Sequence, residues 1–337
     1  MPFSSLIGNN RIKQSLRRAV AEERIGQGLI LAGPDGVGKH QFALALAQAV
    51  NCEKPIDGDA CGRCAACRNI ERGEHPDVKT ILREIRDPDA KKEARSQFIK
   101  IDQMRQMSSE AQFRPYVGRR RVFMIDEADW LREDAASSIL KTLEEPPETS
   151  LLILITSKPY ALLETIRSRC LMLSFAPLTP TEIESYLKQT SKLQADEIAM
   201  TARLACGSIG RALEIDLEEY REKRETLLEM LESLALAKDS ARLTAAAEFL
   251  GRKLERDQFQ DHLEVLNSLL SDVFHLKVGG PADVLINADA SRRLQRIADA
   301  VQMEQIIEWT EKLQEILLSL ARNVNRQLAM ESMLIKS

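Results

Sequence analysis

The chain is 337 residues long, 44% hydrophobic and 29% charged, which is enough apolar material for two or three domains with cores of their own. Its net charge of −4 excludes a chain-wide basic field for nucleic acid, so any DNA contact must be local or shared with partner subunits. No uncharged apolar run approaches the roughly 20 residues of a membrane span, and Met1-Pro2-Phe3-Ser4-Ser5 lacks the basic-then-apolar pattern of a signal peptide; the expectation is a cytoplasmic protein without a membrane partner, its cysteines reduced or metal-bound.

Residues 6–25 read as a short apolar lead-in and an amphipathic helix, with Ile12, Leu16, Ala19 and Val20 at helical spacing. The apolar run Leu29-Ile30-Leu31-Ala32 then predicts a buried strand. It opens into Gly33-Pro34-Asp35-Gly36-Val37-Gly38-Lys39-His40, and an Ala/Leu-rich helix follows to about Val50. Strand, glycine turn and helix are the context of a P-loop. The glycines let backbone N–H groups face phosphate oxygens, the helix start adds its positive end, and the lysine reaches the β- and γ-phosphates. One position departs from that pattern. The Ser or Thr whose hydroxyl binds Mg²⁺ is replaced by His40. Hard Mg²⁺ prefers oxygen and keeps its waters, so phosphate binding is expected to survive while magnesium placement, and with it hydrolysis, is weakened.

Cys52, Cys61, Cys64 and Cys67 come next, with two C-x2-C steps and turn residues Pro55, Asp57, Gly58, Asp59 and Gly62 between them. Clustered thiols in a reducing compartment predict a tetrahedral Zn²⁺ held by four thiolates rather than disulfides, and a structural ion, because no coordination position stays open. Cys170 and Cys206 stand alone and read as small packing residues.

His75-Pro76-Asp77 opens a strand over 78–82, and the charged stretch 83–95 reads as a solvated loop. Phe98-Ile99-Lys100-Ile101 predicts another strand start before a helix over 102–110, with Asp102 as its cap. Arg121 to Ile125 is an apolar strand that delivers Asp126-Glu127-Ala128-Asp129 at its C-terminal edge. In a P-loop enzyme the first of these holds Mg²⁺ and the following Glu polarises the attacking water; taken alone, such residues also serve to cap the next helix. Arg119-Arg120-Arg121 reads as a solvated loop rather than a DNA contact. A helix over 135–145 stops at Pro146-Pro147. Residues 151–155 fit a fully buried central strand, at whose tip Thr156 and Ser157 either sense the γ-phosphate or simply end the strand. A helix over 160–167, the triplet Ser168-Arg169-Cys170 and a last strand over 171–175 complete this part. From Pro177 strand patterns vanish: a helical unit begins at Thr179-Pro180 and runs to about Leu217, and 219–337 is helical apart from Gly279-Gly280-Pro281.

Taken together, the P-loop, the four cysteines just after its helix, Asp126-Glu127-Ala128-Asp129, Leu140-Lys141-Thr142-Leu143-Glu144-Glu145-Pro146-Pro147 and Ser168-Arg169-Cys170 resemble the AAA+ ATPase subunits of bacterial replicative clamp loaders. The resemblance covers essentially the whole chain, whose length leaves no room for the long extension some members carry. It implies an α/β fold: a P-loop AAA+ parallel-sheet core with a four-cysteine zinc insertion (1–176), a small helical lid (177–217) and a C-terminal all-helical collar domain (218–337). It also implies a hetero-pentamer that binds ATP with Mg²⁺, opens the sliding clamp, and places it on primer–template DNA. Carried onto this chain, Gly33 to His40 would cradle phosphate, with Asp126 and Glu127 at the metal and water. Arg211 would be the lid arginine, and Arg169 would act in trans on a neighbour's ATP. A largely structural role and an enzyme hydrolysing ATP at its own site both remain open. A stand-alone zinc-dependent nucleic-acid module is disfavoured by the net charge.

Overall fold

The computed structural model describes residues 1–83, 98–237, 240–320 and 325–334. Beyond Arg83, the charged stretch expected as a solvated loop lies outside the described residues. The chain divides into two compact units, one of residues 1–191 and 205–213, the other of 192–204 and 214–337.

The first unit is built on a parallel sheet of five strands in the order β2-β3-β4-β1-β5. They are β1 (Gly28–Ala32), β2 (Val78–Ile81), β3 (Arg121–Ile125), β4 (Ser150–Thr156) and β5 (Leu171–Ser174). Helices α1 (Asn10–Ala21), α2 (Lys39–Asn51), α3 (Ala65–Glu71), α4 (Ile101–Ala111), α5 (Glu133–Ser138), α6 (Leu140–Glu144), α7 (Glu164–Arg167) and α8 (Pro180–Thr190) belong to the same unit. Parallel strands need crossovers that cover both faces, which is why β1, β3 and β4 are apolar runs without alternation. Successive side chains still part to opposite faces. Leu29, Leu31, Met124, Ile153 and Ile155 pack with Phe42 and Leu46 of α2, while Ile30, Phe123, Leu152 and Leu154 pack with Met104 and Met107 of α4. Every residue of β4 is buried, so truncating Ile153 to Ala should cost about 2–5 kcal/mol.

Register fixes what meets at the C-terminal edge. Ala32 pairs with Thr156 across β1 and β4, and Ile125 with Leu154 across β3 and β4. The loop after β1, the acidic group after β3 and the tip of β4 therefore emerge side by side, where open α/β sheets take their ligands.

Local expectations differ from the structure at four places, one being the helix expected over 160–167, which is a 3-10 turn at Pro159–Ala161 followed by the short α7. Residues 98–100 form no strand, only a bridge from Ile99 to Leu131. Helix α4 starts one residue before Asp102, with Lys100 in the cap position and its backbone N–H donating to Gln103 Oε1 at 2.9 Å. Asp102 instead sits in the first turn, where its charge still favours the helix start. The helix expected over 135–145 is two short ones, α5 and α6, separated by a non-continuing turn at Ile139.

The helix α10 (Ile209–Glu214) belongs to the first unit but for its last residue. The second unit is helical in its described residues: α9 (Ala195–Leu204), α11 (Leu217–Glu232), α12 (Ser240–Glu248), α13 (Arg256–Lys277), α14 (Ser291–Ala300), α15 (Met303–Ser319) and α16 (Arg326–Leu334). Leu227, Leu231, Phe259, Leu266, Leu270, Ile297, Trp309 and Met330 form its core. The Gly279-Gly280 break ends α13; Gly279 takes φ +79°, a conformation L side chains rarely adopt. No helix among the described residues is long and apolar enough to cross a membrane.

Candidate functional site

The loop from Gly33 to Gly38 needs its glycines. Gly36 and Gly38 take φ +71° and +93°, and a Cβ on Gly36 would lie 2.0 Å from Ser208 Oγ. Gly36 also accepts a hydrogen bond on its carbonyl from Gly210 N (3.1 Å), which ties α10 to the loop. A cavity of about 440 Å³ opens here, lined by residues 35–42 together with Asp126, Thr156, Tyr186 and Leu213.

Lys39, the first residue of α2, is buried and folded back: its Nζ donates to the carbonyls of Gly33 (2.6 Å) and Pro34 (2.7 Å) and lies 3.8 Å from Asp35. Burial holds its pKa below the usual lysine value, against the opposing charges of Asp35, Asp126 and Asp129. His40 Nδ1 meets Asp126 Oδ2 at 2.8 Å, and Asp126 Oδ1 accepts the Glu127 backbone N–H at 2.9 Å. Burial alone would raise the Asp126 pKa; the hydrogen bond and charge of His40, with Glu127 N–H and Lys39, outweigh it and hold the carboxyl below the ordinary range.

Glu127 does not face the cavity with Asp126. It takes a left-handed backbone (φ +49°) and both its carboxylate oxygens lie in the fork of Arg83, each at 2.6 Å. The Arg83 guanidinium also stacks on Trp130, 4.7 Å from the ring centre. Thr156 Oγ1 donates to Asp129 Oδ1 (2.7 Å) and accepts from Lys158 N (2.9 Å). Of the residues proposed from sequence, the structure thus brings Lys39, His40, Asp126 and Thr156 to one cavity. Arg211 is exposed on α10, its backbone N–H on Ser208 Oγ at 3.0 Å. Arg169 is exposed at the end of α7, donating to Glu144 Oε1 at 2.7 Å and to Thr165 O at 2.9 Å.

Arg83 is the residue that sequence reasoning missed. Its cause is register: Val78 pairs with Val122 and Ile81 with Ile125, and the same offset of 44 sets Arg83 beside Glu127. No local signal carries that, because the offset exists only once the strands are aligned.

Magnesium does not fit these residues as they stand. The ion takes near-octahedral oxygen ligands, yet the hydroxyl position holds an imidazole and the Asp126, Glu127 and Thr156 oxygens are all engaged. The four-cysteine group does fit a metal. Cys52 ends α2, Cys64 caps α3, and the four Sγ atoms lie within 4.8 Å of one another. Tetrahedral Zn–S bonds of about 2.3 Å put sulfurs roughly 3.8 Å apart, so the cluster is close to that geometry. Burial pushes the Cys52 and Cys67 thiols up, whereas the Arg63 backbone N–H, foremost, brings Cys61 down to about 6. Asp59, within this loop, accepts the backbone N–H groups of Phe3 (2.8 Å) and Ser4 (2.9 Å) and thereby staples the first residues to the cluster.

The family model for the DNA polymerase III delta subunit matches residues 8–179, and the model for the C-terminal part of the delta subunit matches 218–337. The chain is 28% identical over 331 residues to the delta' subunit of DNA polymerase III from Bacillus subtilis, covering 96% of this chain and 94% of that one. It is 27% identical to the delta' subunit of Escherichia coli, covering 96% and 93%. With the tau/gamma subunit of Haemophilus influenzae the identity is 28%, over 94% of this chain but only 41% of the relative's length. Among solved structures, a gamma-subunit-related protein of Thermotoga maritima aligns over 96% of this chain and 97% of its own, at 19% identity and a TM-score of 0.43.

Proposed function

The chain belongs to the DNA polymerase III delta-subunit family, and from that premise we propose that it is a delta'-type member of the clamp loader with a mainly structural duty. It joins other subunits in a hetero-pentamer that uses ATP to place the sliding clamp on primer–template DNA in the cytoplasm. Residues 1–176 form the nucleotide-binding core, 177–217 a lid, and 218–337 a collar domain in that assembly. The match of 218–337 to the C-terminal delta model supports delta' over tau/gamma.

One observation carries the structural reading. At its own site the acidic groups that hydrolysis would use are already held by protein side chains, Asp126 by His40 and Glu127 by Arg83, whereas Arg169 stands on the surface. In the assembled ring Arg169 leaves Glu144 for the ATP of the neighbouring subunit. A guanidinium placed where negative charge builds up stabilises the transition state more than the bound substrate. Cys52, Cys61, Cys64 and Cys67 hold a structural Zn²⁺; with all four ligands from protein, it has no open position for chemistry.

Reconstitution with the other clamp-loader subunits tests this. ATPase with clamp and primed DNA should collapse on Arg169→Ala and be nearly indifferent to Lys39→Ala. Turnover by the isolated chain that is lost on Lys39→Ala would instead establish an ATPase working at its own site.

A further inference from the structure

We infer that the phosphate loop of this chain takes a nucleoside triphosphate as the free anion and gains nothing from a divalent cation. The inference rests on reading Gly33 to Lys39 as a phosphate site and deepens that reading by naming the form of the ligand.

What decides the matter is what each polar atom would have to give up. A cation entering beside the phosphates would look to the residue after Lys39, to Asp126, to Glu127 and to Thr156. The first offers an imidazole in place of a hydroxyl. Asp126 has both oxygens engaged, Oδ2 with His40 Nδ1 at 2.8 Å and Oδ1 with the Glu127 backbone N–H at 2.9 Å. Both Glu127 oxygens sit in the Arg83 fork at 2.6 Å. Thr156 Oγ1 donates its hydrogen bond to Asp129 and accepts from Lys158 N. Each carboxylate oxygen keeps a second lone pair, but a cation drawing on it competes with a hydrogen bond to a charged group, the stronger kind, and Mg²⁺ is in addition slow to surrender its waters.

The cationic side of the site is in the opposite condition. Lys39 Nζ is held by two neutral carbonyls of the loop itself, Gly33 O and Pro34 O, and by a 3.8 Å approach to the exposed Asp35. Moving to a phosphate exchanges neutral acceptors for anionic ones, and burial makes the gain larger. The loop N–H groups and the start of the 13-residue helix α2 add to it. The cavity of about 440 Å³ gives the anion room. His40 meanwhile fills the cation's structural place by holding Asp126. The site is poised for an anion and closed to the metal.

The test is titration of the purified full chain with sodium ATP, followed by calorimetry, in buffer made magnesium-free over chelating resin so that metal on the cysteines is left alone, and again with excess Mg²⁺. The expected result is apparent binding that weakens in excess Mg²⁺, which ties up the free anion, while His40→Thr, or His40→Ser if the first variant folds poorly, becomes tighter in Mg²⁺ by about tenfold or more. Wild-type binding that stays unchanged or tightens with Mg²⁺ overturns the inference and leaves the phosphate loop intact. No binding in either buffer overturns the phosphate-loop reading and this inference together, without touching the trans role of Arg169. Variants weakened by Mg²⁺ as much as the wild type overturn the assignment of the exclusion to His40.

Discussion

Arg83 and Glu127 face each other across the β2–β3 register and share two 2.6 Å hydrogen bonds, with Trp130 beneath the guanidinium at 4.7 Å. A carboxylate held in that fork cannot orient water in the cavity. Arg83→Ala alone should nevertheless give no turnover, because His40 still excludes the cation. The double variant His40→Thr/Arg83→Ala should hydrolyse ATP at a rate well above the sum of the two singles. Steady-state phosphate release from the four proteins of the cycle measures this coupling, and strict additivity would show that the two contacts do not restrain the same reaction.

Arg169 makes a different kind of prediction, since the chemistry proposed for it lies outside this chain. Arg169→Ala in the reconstituted complex should lower ATPase by as much as about 10³-fold while leaving ATP affinity and assembly nearly unchanged, as expected for a charge used only in the transition state. Arg169→Lys should recover little, because a point charge lacks the planar fork. Gel filtration alongside the kinetics separates this from a folding defect. Loss of assembly would assign Arg169 to the interface between subunits instead.

Acid stability should report on Asp77. Its fully buried carboxylate accepts the N–H groups of Tyr116 (2.6 Å), Val117 (2.7 Å) and Gly118 (2.8 Å), with Arg121 3.6 Å away. Burial by itself would raise its pKa, but the three N–H donors and Arg121 outweigh it, so the folded value lies below the ordinary 3.8. A lowered folded pKa means the unfolded chain binds more protons on acidification. The contribution of Asp77 is therefore complete above about pH 4 and fades as pH falls through the folded value. Asp77→Asn should cost about 1–3 kcal/mol in urea unfolding at pH 7. It should also flatten the acid limb of the stability curve. An acid limb identical to the wild type would sink this account.

How much of this was legible beforehand follows from distance along the chain. The phosphate loop, the four cysteines and the acidic group 126–129 are each a short local stretch, and their chemistry is written in spacing. The strands β1, β3 and β4 were readable as apolar runs, and the parallel core followed from the family resemblance. Arg83 and Asp77 were not readable, since each acts on residues some 40 positions away through alignment that only packing supplies. The misread strand at 98–101 has another cause: three apolar residues in four suit a strand or a helix start equally, and tertiary contact decided for the helix.

The cysteine cluster supplies the last prediction. It closes the loop after α2, and Asp59 within that loop fixes Phe3 and Ser4, while Phe3 itself is fully buried against Phe42. Metal removal should therefore loosen more than the loop, because the first residues and the lower end of α2 lose a shared anchor. Elemental analysis should find one zinc per chain, falling to none in Cys64→Ser. Chelation should lower the melting temperature of the first unit and sharply raise proteolysis between residues 52 and 67, since a site whose ligands repel as thiolates depends on the cation for its fold. The Asp59→Asn variant separates the two roles: it should keep the metal but release the first residues, read as faster amide exchange at Phe3 and Ser4 with unchanged zinc content. Retention of full stability and exchange protection after zinc is stripped would show that packing alone holds this corner.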